Sequence, residues 1–336
     1  MKMLRASEII SRRILEELKK YKKVLIQIPE GLRNELEKIK QELENIGIEY
    51  VIDIESAYGY CDVHDEEAIR LGCDAILHIG HNRFGFENLN TKIPMIVQEI
   101  IYDLDKNIVN KILEEGYEKI KEYSKIGIVA AIQYKKYAYY LKDLLAEKGF
   151  KVSLPKNFQI LGCNYTNAKS IEQYIDAFLV PTHGYFYPLG LALETEKKVF
   201  SFDLEKGIED MESYKRKYMM KLFANIERLK ESKKIGILVS WKKGQIFYNP
   251  FKVKNLFKNL GKDADILYLN EIDEEKISYL NYDIFINLSC PRIQEFNFEV
   301  PIINFRDLLR FDKRIYELWI QLPETSSYFS PSRDHH

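Results

Sequence analysis

Three segments of this chain are versions of one another: Lys23-Val-Leu-Ile-Gln-Ile, Lys125-Ile-Gly-Ile-Val-Ala and Lys234-Ile-Gly-Ile-Leu-Val. Each is followed by an aspartate that leads into a second apolar segment: Asp74-Ala-Ile-Leu-His, Asp176-Ala-Phe-Leu-Val and Asp283-Ile-Phe-Ile-Asn. The lysine and aspartate stand 51, 51 and 49 positions apart. Spacing this regular restricts the chain to three copies of one supersecondary unit. A length of 336 residues agrees, since it exceeds what a single core usually serves.

Within each copy the apolar runs are short and nearly continuous, as in strands covered on both faces. Charged helical stretches lie between them. Strands are expected at 24–28, 50–54, 74–79 and 95–97, then at 126–132, 151–154, 176–181 and 199–202. The third set falls at 235–240, 265–269, 283–288 and 300–303. A helix is expected at 7–20, another at 136–148, and a long amphipathic helix at 208–232 that leads into the third copy. Strands alternating with helices imply parallel sheets with right-handed crossovers.

Hydrophobic residues make up 46% and charged residues 30%, the composition of a globular protein. With 50 basic and 51 acidic residues the net charge is −1, which argues against a nucleic-acid surface. No apolar run approaches the roughly 20 residues that span a bilayer, and the first residues lack a signal-peptide core. A cytoplasmic protein with no membrane partner is expected.

Four cysteines in a reducing compartment are core residues, ligands or nucleophiles before they are disulfides. Cys73 precedes a strand and reads as core. Cys61, Cys163 and Cys290 occur once per repeat, beside polar Asp62, Asn164 and Ser289. The first two follow the second strand of their repeats, whereas Cys290 follows the third. Both places lie at the carboxyl edge of a parallel sheet, where ligands bind. We therefore read the three as ligands of one metal site at a common centre. The expected fold is α/β: three homologous repeats, each a small parallel four-stranded sheet flanked by helices, arranged with pseudo-threefold symmetry around a central cluster. The expected domains are 1–112 with the N-terminal helix and Cys61, 113–207 with Cys163, and 208–323 with the linking helix and Cys290. A polar tail at 324–336 is expected to be disordered.

The residue types leave the metal open. Three thiolates with His64 would suit zinc; three alone would suit a 4Fe–4S cluster with one iron accessible to a substrate. His78, inside a strand, reads as core. Gln27-Ile-Pro-Glu30-Gly31 and the loop ending at Gln245 could offer backbone N–H groups to an anionic ligand. Gly184-Tyr-Phe-Tyr187-Pro-Leu-Gly190 is expected to be an aromatic loop walling a pocket. Arg292 could pair with a carboxylate.

Seven segments, in order, carry a resemblance. They are Gln27–Leu32, Tyr58-Gly-Tyr-Cys-Asp-Val63, His78-Ile-Gly-His81, Gln159-Ile-Leu-Gly-Cys163, Gly184–Gly190, Val239–Gln245 and Ser289-Cys-Pro-Arg-Ile293. Together they resemble the archaeal diphthamide-biosynthesis radical enzymes, the 2-(3-amino-3-carboxypropyl)histidine synthase family. The resemblance implies that Cys61, Cys163 and Cys290 hold a 4Fe–4S cluster between three domains of a homodimer. It also implies that the unique iron binds S-adenosylmethionine. An external electron donor would then drive release of methylthioadenosine and transfer of the 3-amino-3-carboxypropyl radical to C2 of a histidine of translation elongation factor 2. On this reading Gln27, Glu30, Gly31, Gly184, Tyr187, Gln245 and Arg292 are expected around S-adenosylmethionine, with Gln245 and Arg292 at its methionine end. Residues 81–86, Tyr60 and Trp241 depart from the family pattern. A quinolinate-synthase-like dehydratase and a non-catalytic electron-relay partner are the rival readings.

Overall fold

The structure is a computed structural model describing residues 9–292 and 298–323. It contains three sheets, one for each copy of the repeat. The first is formed by β1 (Lys23–Gln27), β2 (Glu49–Asp53), β3 (Ala75–Ile79) and β4 (Met95–Gln98). The second contains β5 (Lys125–Ile128), β6 (Lys151–Ser153), β7 (Ala177–Thr182), β8 (Lys198–Asp203) and β9 (Gly207–Asp210). The third contains β10 (Lys234–Ser240), β11 (Asp263–Leu269), β12 (Ile284–Asn287) and β13 (Ile302–Asn304). The spatial orders are β2-β1-β3-β4, β6-β5-β7-β8-β9 and β11-β10-β12-β13. Apart from β9, every pairing is parallel. The α/β class and the three-repeat organisation are therefore as the sequence indicates.

The lysine–aspartate signature is a backbone clamp. Asp74 accepts hydrogen bonds from the backbone N–H groups of Lys22 and Lys23 at 2.9 and 3.1 Å. Asp283 does the same for Lys233 and Lys234 at 2.7 and 2.8 Å. Asp176 accepts from the N–H of Lys125 at 2.9 Å and from the Ser124 hydroxyl at 3.1 Å. Each carboxylate thus satisfies the N–H groups at the start of the first strand from the start of the third. For Asp283, the N–H of Lys234 and then that of Lys233 hold the carboxyl below its ordinary pKa. Burial opposes this at Asp176, where the Lys125 N–H, the Ser124 hydroxyl and nearby lysine charges together outweigh it and the net direction is again downward.

Two expectations need correction. The long helix does not begin at 208: residues Gly207–Asp210 form β9, antiparallel to β8, so the second sheet has a fifth strand. Gly207, at φ +85°, makes the tight reversal, and Asp203 accepts from the N–H groups of Glu205 and Lys206. Buried Ile208 then packs against the helix Lys106–Ile120, at Gly116. A Cβ at Gly116 would lie 2.7 Å from the Ile208 Cβ. The helix starts afterwards, at Glu212. The second correction concerns the aromatic segment, which is helical from Phe186 to Glu194 instead of a loop. Its Pro188 sits in the first turn, where the missing N–H has no helical partner to lose.

The chain falls into two compact units, one ending at Ser213 and the other beginning at Tyr214. The first unit holds the first two sheets and the second holds the third. Among the described residues no helix is long and apolar enough to cross a membrane. The expected tail at 324–336 lies outside the described residues, as does Ile293 of the last resembling segment.

Candidate metal centre

In each sheet the first strand lies between the second and the third, so the chain leaves it in opposite directions. Such a reversal opens a crevice outside the carboxyl ends of the strands. This order explains the uneven placement of the cysteines. Cys61 and Cys163 follow the second strand, and Cys290 follows the third. All three therefore stand at loops bordering the crevice of their own sheet, on one side of the first strand or the other.

The Cys61 loop rests on buried polar groups supplied by β1 and β2. Gln27, the last residue of β1, donates from Nε2 to the Asp53 carboxylate at 3.3 Å and to the Asp62 carbonyl at 3.1 Å. The His64 ring is gripped on both nitrogens: Nδ1 lies 2.6 Å from Asp53 Oδ2 and Nε2 lies 3.2 Å from Asp62 Oδ1. Burial opposes a charge on His64, but the hydrogen bond to Asp53 and the nearby Asp62 carboxylate outweigh it and push the pKa up to about 10. Both ring nitrogens thus face carboxylates, one on β2 and one beside Cys61. For Asp53, burial alone would raise the pKa; the His64 hydrogen bond and charge reverse this and lower it.

Cys61 itself is buried with Leu25, Tyr60, Val63 and Ile76, and Leu161 and Cys163 pack against the same cluster. The first unit therefore brings two of the three expected ligands into one neighbourhood. The Cys163 loop is a tight reversal in which Leu161 and Asn164 exchange backbone hydrogen bonds at 2.9 and 3.0 Å. Asn167 donates to the Gln159 carbonyl at 2.7 Å. The side-chain amides of Gln159 and Asn82 pair reciprocally at 2.8 Å, tying this segment to the loop after β3. The Phe186 ring covers Gly162 so closely that a Cβ there would meet its Cζ at 1.9 Å. The aromatic segment thus shapes the Cys163 loop.

Cys290, in the second unit, follows β12 in a loop held by neutral groups and one carboxylate. Asn287 donates to the Cys290 carbonyl at 3.0 Å and to Asn304 Oδ1 at 2.8 Å. Asn304 donates to Asp307 at 3.1 Å, and Asp307 also accepts from the Tyr218 hydroxyl at 2.5 Å. Burial, then the Asp307 charge, holds the Tyr218 hydroxyl protonated well beyond its ordinary range. On the other side, Ser289 accepts from the Ser240 N–H at 2.6 Å.

The other expected site residues divide. Gln27 is buried and committed to the Cys61 loop. Glu30 and Gly31 are exposed at the start of a 3₁₀ turn, Glu30–Glu35, directly after β1. Gly184, at φ +84°, donates its N–H to Asp203 at 2.7 Å, and Tyr187 is half-buried against the second core. Gln245 is buried in the turn after β10, and Arg292 is half-buried beside Cys290. Cys73 is core, and burial raises its pKa. His78 is fully buried in β3, 3.0 Å from His81, and burial keeps it neutral. The family departures in the first unit are mutually packed: the Tyr60 ring lies 6.5 Å from Phe86 and beneath the Arg83 guanidinium at 5.9 Å, whereas Trp241 packs on Tyr268 at 5.8 Å. Sequence reasoning missed Asp53, Asn287, Asn304 and Asp307. Their signal was a polar residue at the last position of an otherwise apolar strand, or just after it.

Among the described residues no three His, Cys, Asp or Glu side chains form a ready metal-holding group; Cys61 and Cys163 belong to one unit and Cys290 to the other. The donor chemistry nonetheless fits an iron–sulfur cluster. Three soft thiol donors, with the fourth cysteine buried before β3, match a cubane with one open iron.

The fold and its cysteine loops define an α/β protein of three repeats with one thiol at each crevice. The sequence profile of diphthamide synthesis proteins matches residues 28–311, and the chain belongs to that family. It is 34% identical over 299 residues to 2-(3-amino-3-carboxypropyl)histidine synthase of Pyrococcus horikoshii, covering 85% of this chain and 84% of the relative. The synthase of the same name from Methanocaldococcus jannaschii is 31% identical, covering 85% and 82%. Subunit 1 of the synthase from Saccharomyces cerevisiae is 26% identical, covering 82% and 67%. The crystal structure of Dph2 from P. horikoshii with a 4Fe–4S cluster matches at a TM-score of 0.79 and 30% identity, covering 98% of this chain and 97% of that one.

Proposed function

We propose that the protein is a 2-(3-amino-3-carboxypropyl)histidine synthase. It would transfer the 3-amino-3-carboxypropyl group of S-adenosylmethionine to C2 of a histidine on translation elongation factor 2 and release methylthioadenosine. The observation that carries this reading is one cysteine loop at each of three sheet crevices, in a chain whose fold matches a 4Fe–4S protein along nearly its whole length. Cys61, Cys163 and Cys290 would hold the cluster, each from its own repeat (1–112, 113–207 and 208–323). When bound, the cluster supplies the electron that cleaves the sulfonium.

The chain's own residues do the rest. The Asp53–His64–Asp62 and Asn287–Asn304–Asp307 networks fix the backbone on which two of the thiols sit. Gly162 and Phe186 shape the third loop. Arg292, beside Cys290, would pair with the α-carboxylate of S-adenosylmethionine, with Gln245 near the same end. Exposed Glu30 and Gly31, the turn at Gly184 and Tyr187 in the helix that follows would border S-adenosylmethionine. Gln27 acts from beneath, through the Cys61 loop. The protein would work in the cytoplasm as a homodimer supplied by an external electron donor.

The test is anaerobic: reconstitute the cluster, add dithionite and S-adenosylmethionine, and identify the nucleoside by chromatography. Methylthioadenosine that vanishes in Cys163→Ala is the expected result. A 5′-deoxyadenosine product would overturn the proposed cleavage. A verified cluster with no cleavage would favour a dehydratase or an electron-relay partner.

A further inference from the structure

The three cysteine loops are braced differently. Backbone pairing and asparagine amides hold the Cys163 loop, and amides backed by Asp307 and a phenol hold the Cys290 loop. Only the Cys61 loop, among the described cysteine loops, is braced by a histidine set between two carboxylates.

We infer that His64 is a positioning residue for Cys61: held by Asp53 on one side and Asp62 on the other, it locks residues 58–64 in the conformation that presents the thiol. This inference rests on the reading of Cys61 as a cluster ligand.

The connections run through the residue next to the thiol. Asp62 donates its N–H to the Gly59 carbonyl at 3.0 Å and accepts from the Tyr58 N–H at 3.3 Å, which closes the turn around Cys61. Its carbonyl is tied to Gln27, and its side chain to His64. His64 in turn is joined to Asp53, the last residue of β2, and its carbonyl accepts the Ala68 N–H of the following helix. The ring therefore transmits the positions of β2 and that helix to the one residue that sets where Cys61 sits. Removing the ring would leave Asp53 and buried Asp62 without the group that lies between them and joins them. Opening the turn at Tyr58–Asp62 is the cheapest way to rehydrate them. That movement would carry Cys61 away from its packing against Leu25 and Ile76.

The test uses the full-length protein before and after cluster reconstitution. Without the cluster, iodoacetamide labelling is followed thiol by thiol by peptide mass spectrometry. In His64→Ala, Cys61 is expected to label about tenfold faster or more, as local opening of a braced loop would predict. Cys73 and Cys163 are expected to keep their rates. Added imidazole should restore protection of Cys61, and His64→Asn, which keeps one hydrogen bond, should fall between. With the cluster, His64→Ala should lose iron to a chelator faster than the parent. Unchanged Cys61 labelling would overturn the inference, and so would equal acceleration at every thiol, because His64 would then merely support the fold. Faster labelling of Cys61 alone, in a protein whose parent form takes up no iron, would uphold the brace and remove the cluster reading instead.

Discussion

His64 shows how far its neighbours can move one side chain. Its folded pKa, about 10, stands above the ordinary value of 6.5. The stability it confers is therefore present in full below about pH 6.5 and is lost as the pH rises through about 10. Asp53, with its pKa lowered, behaves in the opposite sense and loses its contribution only in acid. The melting-temperature gap between the parent and His64→Gln should accordingly shrink from pH 6.5 to pH 10; a constant gap would contradict the ion-paired arrangement. Gly162 makes a steric point at the same scale. With Phe186 Cζ 1.9 Å from where a Cβ would stand, Gly162→Ala must displace the ring or the loop. The expected cost is about 1–3 kcal/mol by denaturant unfolding, as for other overpacked sites. Adding Phe186→Ala should relieve the clash, so a single variant as stable as the parent would show that the ring yields freely.

At the scale of elements, the repeats keep their shape by trading volume across one pair of strands. Gly127 lies directly opposite Phe178, Gly236 opposite Phe285, and in the first repeat Leu25 lies opposite Ile76. Small faces large in two repeats, and intermediate faces intermediate in the other. A Cβ on Gly236 would stand 2.5 Å from the Phe285 ring, which is buried and cannot turn away. Gly236→Ala should therefore destabilise the protein by about 1–3 kcal/mol, and Phe285→Leu in the same chain should recover part of that loss. Strictly additive effects in the double-mutant cycle would refute the compensation. The lysine–aspartate spacing belongs to this scale too. It was legible because a carboxylate must reach the start of the first strand in each sheet. Its role as a clamp was not legible, since spacing does not say which atoms meet. The periodicity also concealed β9, because Gly207–Asp210 is short and charged and gains its strand from pairing with β8.

For the whole molecule, three similar sheets and three thiols follow from the chain alone. Apolar runs of strand length separated by charged helical stretches leave few arrangements other than parallel sheets, and the carboxyl edges of those sheets are where loops can carry chemistry. The cysteines could be sorted by position for that reason: Cys73 before its strand, the other three after theirs. What the sequence could not supply is the state of the groups around them. The two carboxylates on the His64 ring come from separate segments, and nothing in the chain announced them. Nothing in the chain showed that the Gln27 amide holds the Asp62 carbonyl. The aromatic segment passed for a loop until Phe186 was seen covering Gly162. Strand positions and repeat number follow from local patterns of apolar and charged residues, which act over a few positions and leave a periodic trace. Protonation, hydrogen-bond partners and close approach depend on residues far apart in the chain that only folding brings together, and they leave no such trace.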